Sequence, residues 1–91
     1  MHVEWDEGKR RENIRKHGLD FVGAEKIFDG YTLTSEDERR NYGERRWATV
    51  GLLEGRVVVL VYTERQEAMR LISLRKATNY ERRIYFSQMP D

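Results

Sequence analysis

The fold is set by residues 47–63, WATVGLLEGRVVVLVYT, where two apolar runs flank a Glu-Gly pair. In the second run every residue of Val57–Val61 is apolar, which is typical of a strand that is buried on both faces. The Glu-Gly pair suits a hairpin turn, because glycine reaches the positive φ that such turns require. We therefore predict two antiparallel strands, Glu44–Leu53 and Arg56–Thr63, with the second at the centre of a sheet.

The sequence on the C-terminal side of this hairpin predicts one more strand and a helix. A turn at residues 64–67 leads into the strand Ala68–Leu74. Thr78 and Glu81 have the spacing of a capping box, in which each side chain bonds to the backbone amide of the other residue. This pair predicts a helix that covers Thr78–Gln88.

The sequence on the N-terminal side predicts two strands and two helices. His2–Trp5 is a predicted strand. Two predicted helices follow it, Glu7–His17 and Phe21–Phe28, and only the second has a proper apolar face. The period of the apolar residues then changes to two, which predicts a strand at Tyr31–Glu36. A charged loop, Asp37–Gly43, separates this strand from the hairpin.

The predicted order of elements is β-α-α-β-β-β-β-α, within one domain that covers residues 1–91. This order gives an α+β fold: a small, mostly antiparallel sheet with two N-terminal helices and one C-terminal helix. A chain of 91 residues has room for a single hydrophobic core, so no second domain is expected.

The residue types exclude several kinds of site. The chain has no cysteine and only two histidines, which rules out a disulfide framework, a thiolate nucleophile and a thiolate metal site. We expect neither a metal nor a cofactor. The longest apolar run, Val57–Tyr62, is far too short to cross a bilayer, and residues 1–15 are too charged for a signal peptide. These features predict a cytoplasmic protein.

Positive charge is concentrated in two segments, although the net charge is only +1. Lys9–His17 carries five Lys or Arg residues against one acid, and Arg75–Arg83 carries four against one. This distribution fits a groove for phosphates or for an acidic partner chain. A solvated polar surface would produce the same pattern, so charge alone does not decide between these interpretations.

Short motifs along nearly the whole chain occur in an order and at a spacing that resemble the BrnT family of toxins. They are Glu4-Trp5-Asp6, Lys16-His17-Gly18, Phe28-Asp29, Gly43-Glu44-Arg45-Arg46, Tyr62-Thr63-Glu64-Arg65, and Ile72-Ser73-Leu74-Arg75-Lys76-Ala77-Thr78, with Glu81 and Tyr85 after them. One departure is Leu74, where the family usually has alanine. A bulkier side chain there affects the position of the basic pair that follows it.

The resemblance implies a RelE-like fold and a ribonuclease toxin of a bacterial type II toxin–antitoxin system. It also implies a cognate BrnA-like antitoxin with a ribbon-helix-helix domain, which blocks RNA cleavage and binds operator DNA, so that the toxin contacts DNA only through it. The alternative is a non-catalytic toxin homologue that serves as an antitoxin-binding module in operon autoregulation. A small nucleic-acid-binding protein without enzymatic activity is a third possibility.

Cleavage of RNA without a metal ion requires a base for the 2′-hydroxyl, cations for the phosphoryl oxygens and an acid for the 5′-oxygen. His17 is the best proton-transfer candidate, because imidazole titrates near neutrality. Arg75 and Lys76 precede a helix N-terminus, where anions are favoured. Glu81 and Tyr85 complete the predicted catalytic group. Structural roles remain open: His17 as a helix C-terminal residue, Glu81 as a cap and Tyr85 at the edge of the core.

A second group of residues is predicted to bind RNA. Lys9, Asn13 and Lys16 are spaced i, i+4 and i+7, so they share one helical face. Arg45 and Arg65 are further candidates for phosphate contacts. A solvated helix face, or a face that binds the antitoxin, would have the same composition.

Overall fold

The computed structural model describes residues 1–91, which form five strands, two α-helices and one 3₁₀ helix. Their bounds are β1 His2–Trp5, α1 Glu7–His17, the 3₁₀ helix Ala24–Asp29, β2 Thr32–Glu36, β3 Trp47–Leu53, β4 Arg56–Arg65, β5 Ala68–Lys76 and α2 Asn79–Gln88. Neither α-helix is long and apolar enough to span a lipid bilayer.

The central strand of the sheet is β4, as its continuous apolar run predicts. The five strands are ordered β1-β5-β4-β3-β2, and Val59 of β4 pairs with Val50 of β3 and with Arg75 of β5. Every residue of Val57–Thr63 is buried. Because both faces of β4 are covered, all five residues of Val57–Val61 can be apolar.

The sheet is mixed, which corrects the predicted fold class. β1 runs parallel to β5, with His2 opposite Ala68 and Trp5 opposite Leu71, while the other three pairs of neighbouring strands are antiparallel. Apolar periodicity indicates that a segment is a strand, but it says nothing about which strand pairs with it or in which direction. The first and last strands of the chain meet here, and a pattern within each strand does not predict that pairing.

The second predicted N-terminal helix was also wrong. Phe21–Phe28 is not an α-helix: Gly23 has a φ of +84°, and the 3₁₀ helix begins after it. Phe21, Ala24 and Ile27 are all buried, and their spacing of three residues suits a helix with three residues per turn. The order of elements is therefore β-α-3₁₀-β-β-β-β-α, with one N-terminal α-helix.

Two strands, β3 and β5, begin or end at residues other than those predicted, in both cases next to charged residues. β3 begins at Trp47 and not at Glu44, because the preceding residues belong to a loop that is closed by the Asp37 amide donating to the Arg46 carbonyl at 2.8 Å. β5 continues to Lys76, two residues beyond its predicted end. Its last basic residues are therefore held by strand pairing and do not lie in a connecting loop.

The main core lies on one face of the sheet, where the 3₁₀ helix packs. The buried cluster consists of Phe21, Ala24, Ile27, Val58, Leu60, Tyr62, Leu71 and Leu74. Gly51 of β3 allows the 3₁₀ helix to approach closely, because a Cβ at this position would lie 2.7 Å from Cγ1 of Ile27. α2 is anchored separately by Tyr85, which is fully buried and donates its hydroxyl hydrogen to the Tyr31 carbonyl at 2.7 Å.

α1 is attached to the sheet by a polar side chain. Its only buried residue is Asn13, whose amide oxygen accepts from the Leu74 amide at 2.9 Å and whose amide nitrogen donates to the Leu74 carbonyl at 2.9 Å and to the Leu19 carbonyl at 2.8 Å. β1 ends opposite Leu71 and does not pair with the backbone of Leu74. The side-chain amide of Asn13 therefore takes the place of a peptide group from a neighbouring strand. This explains how a helix without an apolar stripe is fixed.

Candidate functional site

A cationic cleft lies where the C-terminal ends of α1 and β5 meet the start of α2. Its volume is about 530 Å³, and it is lined by Lys16, His17, Arg39, Arg75, Lys76 and Thr78. No carboxylate lines it. Four of the six residues are lysines or arginines, so the site attracts an anion and repels a metal cation.

Arg75 is fixed in this cleft by a carboxylate. Its Nη1 and Nη2 atoms donate to the two carboxylate oxygens of Glu81 at 2.8 and 2.9 Å. Arg75 lowers the pKa of the Glu81 carboxyl to about 2, and the carboxylate in turn raises the pKa of the Arg75 guanidinium. Such a two-point pair fixes the direction of the guanidinium, so both groups stay charged at neutral pH.

The capping box of α2 places Glu81 for this role. The Thr78 hydroxyl accepts from the Glu81 amide at 3.1 Å, and the Thr78 amide donates to a Glu81 carboxylate oxygen at 2.8 Å. The predicted cap is therefore confirmed. A carboxylate that is already bonded to a guanidinium and an amide, with a pKa of about 2, has little tendency to accept a proton near neutrality. Its position favours orientation of Arg75 over general base catalysis.

Lys16 and His17 enter the cleft from the last turn of α1. Both side chains are exposed, and the helix ends at Gly18, which has a φ of +69°. His17 thus lies at a helix C-terminus and in the cleft at the same time. The two interpretations of His17 are compatible, because an imidazole at this position can interact with the helix carbonyl end and still reach a ligand.

Arg39 is the cleft residue that the sequence did not reveal. It belongs to the charged loop between β2 and β3 and is paired with Asp37, whose pKa is lowered to about 2 mainly by hydrogen bonds from the Arg39 side chain. The only signal in the sequence is an acid two residues before an arginine, which is too common to single out. Its place in the cleft depends on tertiary structure.

Two predicted site residues lie outside the cleft because they are buried. The amide of Asn13 is fully used by the backbone groups of Leu74 and Leu19, so it has no group left for RNA. Tyr85 is fully buried and bonded to Tyr31, and burial raises its hydroxyl pKa. The positions of Asn13 and Tyr85 support structural roles.

Three further candidates are exposed but distant from the cleft or paired elsewhere. Lys9 is in the first turn of α1, about 10 Å along the helix from Lys16. Arg65 is level with Ala68, seven residues before Arg75 on the adjacent strand, which is about 23 Å at the usual rise per residue. Arg65 and Arg45 pair with Glu44 and Glu36 respectively. The structure does not bring these candidates together with Arg75.

A known protein family matches most of the chain. The family model for BrnT, described as the ribonuclease toxin of a type II toxin–antitoxin system, matches residues 5–81. A search among curated proteins found no match. The matched range includes all six residues that line the cleft.

Proposed function

The chain belongs to the BrnT family of ribonuclease toxins of type II toxin–antitoxin systems, and on that premise we propose that it cleaves RNA in the cationic cleft without a metal ion. Membership of the family gives the protein an RNA target and an antitoxin partner. The proposed location of the active site rests on one observation: a single cleft is lined by Lys16, His17, Arg75 and Lys76 and by no carboxylate.

His17 is the proposed proton-transfer residue. Cleavage begins when the 2′-hydroxyl loses its proton and its oxygen attacks the adjacent phosphorus, and it ends when the bond from phosphorus to the 5′-oxygen breaks and that oxygen gains a proton. These steps leave a cyclic phosphate and a free 5′-hydroxyl. His17 is the only histidine in the lining, and histidine is the side chain that most often serves as general acid and base.

Arg75 and Lys76 are the proposed ligands of the reacting phosphate. Negative charge increases on the phosphoryl oxygens during the attack, and cations that are already in place stabilise this charge without reorganisation. Glu81 holds Arg75 at two points and acts in the proposal as a positioning residue. Lys16 is the proposed contact for the neighbouring RNA backbone, and Tyr85 and Asn13 support the fold.

Metal-free cleavage is supported by the charge of the cleft. Lys16, Arg39, Arg75 and Lys76 would repel a divalent cation at the position where the phosphate binds. No group of three His, Cys, Asp or Glu side chains with metal-binding geometry occurs in residues 1–91. The chemistry is therefore assigned to histidine, lysine and arginine.

We also propose that the antitoxin is BrnA-like and carries a ribbon-helix-helix domain. In this arrangement the antitoxin contacts operator DNA, and the toxin reaches DNA only through it. The exposed basic residues of the cleft suit an acidic segment of such a partner, because a chain that covers them also excludes RNA. The proposed location is the cytoplasm, where the RNA target is made.

The proposal is tested by expression with and without the neighbouring gene, and by cleavage of purified RNA in EDTA. Expression alone should arrest growth, and Arg75→Ala and His17→Ala should each lower cleavage by about a hundredfold or more. Arg56→Ala and His2→Ala are matched controls, because both side chains are exposed and lie outside the cleft.

Thermal unfolding of each variant separates loss of the fold from loss of chemistry, and Arg75→Lys retains the charge without the two-point pair. Intact RNA at high protein excess would instead favour a non-catalytic, antitoxin-binding homologue. Cleavage that disappears in EDTA would refute metal independence.

A further inference from the structure

The β2–β3 loop, residues 37–46, has a defined shape despite its charge. The Asp37 amide donates to the Arg46 carbonyl at 2.8 Å and closes the base of the loop. Within it, the Asn41 side chain accepts from the Gly43 amide at 3.1 Å, and the Arg46 guanidinium lies 4.0 Å from the centre of the Tyr42 ring. A loop with these internal contacts holds its side chains in definite places.

Asp37 is the best-buried charged group of this loop. The exposed fraction of its side chain is 4%, against 70% for its partner Arg39. The Asp37 carboxylate accepts from Arg39 Nε at 2.8 Å, from Arg39 Nη2 at 2.9 Å and from the Tyr42 hydroxyl at 3.3 Å. The pKa of Asp37 is lowered to about 2, mainly by the hydrogen bonds from Arg39, so the pair favours the ionised carboxylate despite its burial. The buried carboxylate therefore stays charged and orients the exposed Arg39 guanidinium.

The pair with Asp37 leaves part of the Arg39 guanidinium available for other contacts. Asp37 accepts from Nε and from one hydrogen of Nη2, so Nη1 and the other Nη2 hydrogen are not bonded to Asp37. Arg39 and Arg75 line the same cleft, where their two positive charges repel each other. Each guanidinium is held by its own carboxylate, Asp37 or Glu81, at 2.8 and 2.9 Å.

We propose that Arg39 binds an RNA phosphate next to the one held by Arg75, and that Asp37 is the positioning residue for Arg39. The inference rests on the proposed function, because it takes RNA as the ligand of the cleft. RNA carries a phosphate at every nucleotide, so two guanidiniums that line one cleft can contact two different phosphates of the same strand. A bound anion also removes the repulsion between the two arginines.

The first experiment measures binding of a 2′-O-methyl RNA oligonucleotide, which is not cleaved because its 2′-oxygen is blocked. Arg39→Ala should weaken binding by about tenfold to a hundredfold. It should also reduce the slope of log affinity against log salt concentration by about 0.7, the value for one phosphate contact with a single strand. Arg40→Ala is the matched control, since Arg40 is exposed, adjacent in sequence and absent from the cleft.

The second experiment separates positioning from charge. Asp37→Asn removes a negative charge near the cleft, so simple electrostatics predicts tighter RNA binding. Positioning by Asp37 predicts the opposite: a KM for RNA cleavage that rises about tenfold, because the guanidinium of Arg39 is no longer held. Arg39→Lys should keep the salt slope of the natural protein while its KM lies between those of the natural protein and Arg39→Ala.

The outcomes distinguish this inference from the proposed function. If Arg39→Ala matches Arg40→Ala in affinity and salt slope while RNA is still cleaved, the inference is wrong and the proposed function stands. Tighter RNA binding by a folded Asp37→Asn protein would exclude the positioning role. Cleavage that survives both Arg75→Ala and His17→Ala would overturn the proposed function and the inference together.

Discussion

The arginines of the cleft are held differently from an arginine outside it. In the cleft, Arg75 and Arg39 are each held at two points, by Glu81 and Asp37 respectively, at 2.8 and 2.9 Å. At the opposite end of β4 and β5, Arg65 lies 3.5 Å from Glu44 without a two-point pair. An exposed contact of this kind leaves the side chain mobile.

The difference shows that arginine content does not locate a binding site. A site requires cations that are fixed before the ligand arrives, and a fixed cation requires a partner that is itself immobile. For the two cleft arginines, the immobile partners are Glu81, which also caps α2, and Asp37, whose amide closes the β2–β3 loop. The buried amide of Asn13 adds a third anchor by fixing α1.

The largest effect is expected from Asn13→Ala, which detaches α1 from the cleft end. The substitution leaves the buried amide and carbonyl of Leu74 without partners, so the free energy of unfolding should fall by about 2–4 kcal/mol. Urea unfolding measures this change. Asn41→Ala, which removes one exposed side-chain bond, is the control and should change it by less than about 1 kcal/mol. Similar losses in the two variants would show that α1 is held by other contacts.

A smaller effect is expected from acid, and it should depend on Glu81. The pKa of this carboxyl is lowered from 4.5 to about 2, so its pairing stabilises the fold above pH 4.5 and this contribution disappears as the pH falls toward 2. Asp37, with a pKa of about 2, contributes in the same direction. Allowing for solvent screening, Glu81→Gln should remove about 1–2 kcal/mol at pH 7 and very little at pH 2.

Unfolding measured at several pH values between 2 and 7 checks this prediction. The natural protein should lose stability below about pH 5, and Glu81→Gln should show a flatter profile. An unchanged profile in that variant would mean that the Arg75–Glu81 pair does not stabilise the fold.

Local patterns in the sequence predicted most of the elements of the fold. The hairpin of β3 and β4, the limits of α1 and the cap of α2 follow from short-range rules, because each depends on residues within a few positions of one another. The parallel pairing of β1 with β5 and the left-handed Gly23 were missed. The first is a long-range contact, and the second is a backbone choice that an apolar spacing of three and four does not exclude.

The candidate site was predictable only in part, for the same reason. Lys16, His17, Arg75 and Lys76 belong to basic segments that the sequence displays, and the structure brings them together. The sequence spacing places Asn13 on the same helical face as Lys16. In the structure the Asn13 side chain is turned toward the sheet, because backbone groups of β5 need hydrogen-bond partners there. Charge periodicity does not show which polar residue a neighbouring strand will require.

The smallest effect is expected from Arg65→Ala, at the opposite end of the sheet. Its distance of 3.5 Å from Glu44 and its exposure of 56% predict a change in unfolding free energy below about 0.5 kcal/mol. RNA cleavage should change less than twofold, because a mobile cation about 23 Å from Arg75 contributes little to a phosphate that binds in the cleft. Adding Arg45→Ala, which removes a second exposed pair, should leave both results unchanged.

This double variant is also the sharpest challenge to the difference between the two ends. Four cations line the cleft, whereas the cations at the far end pair with Glu44 and Glu36. If the double variant lowered cleavage tenfold, RNA would have to cross the sheet from end to end, and mobile arginines would matter as much as fixed ones. If only the salt dependence of RNA binding changed, the far end would attract RNA over a distance without holding it, because screened charges affect association before contact.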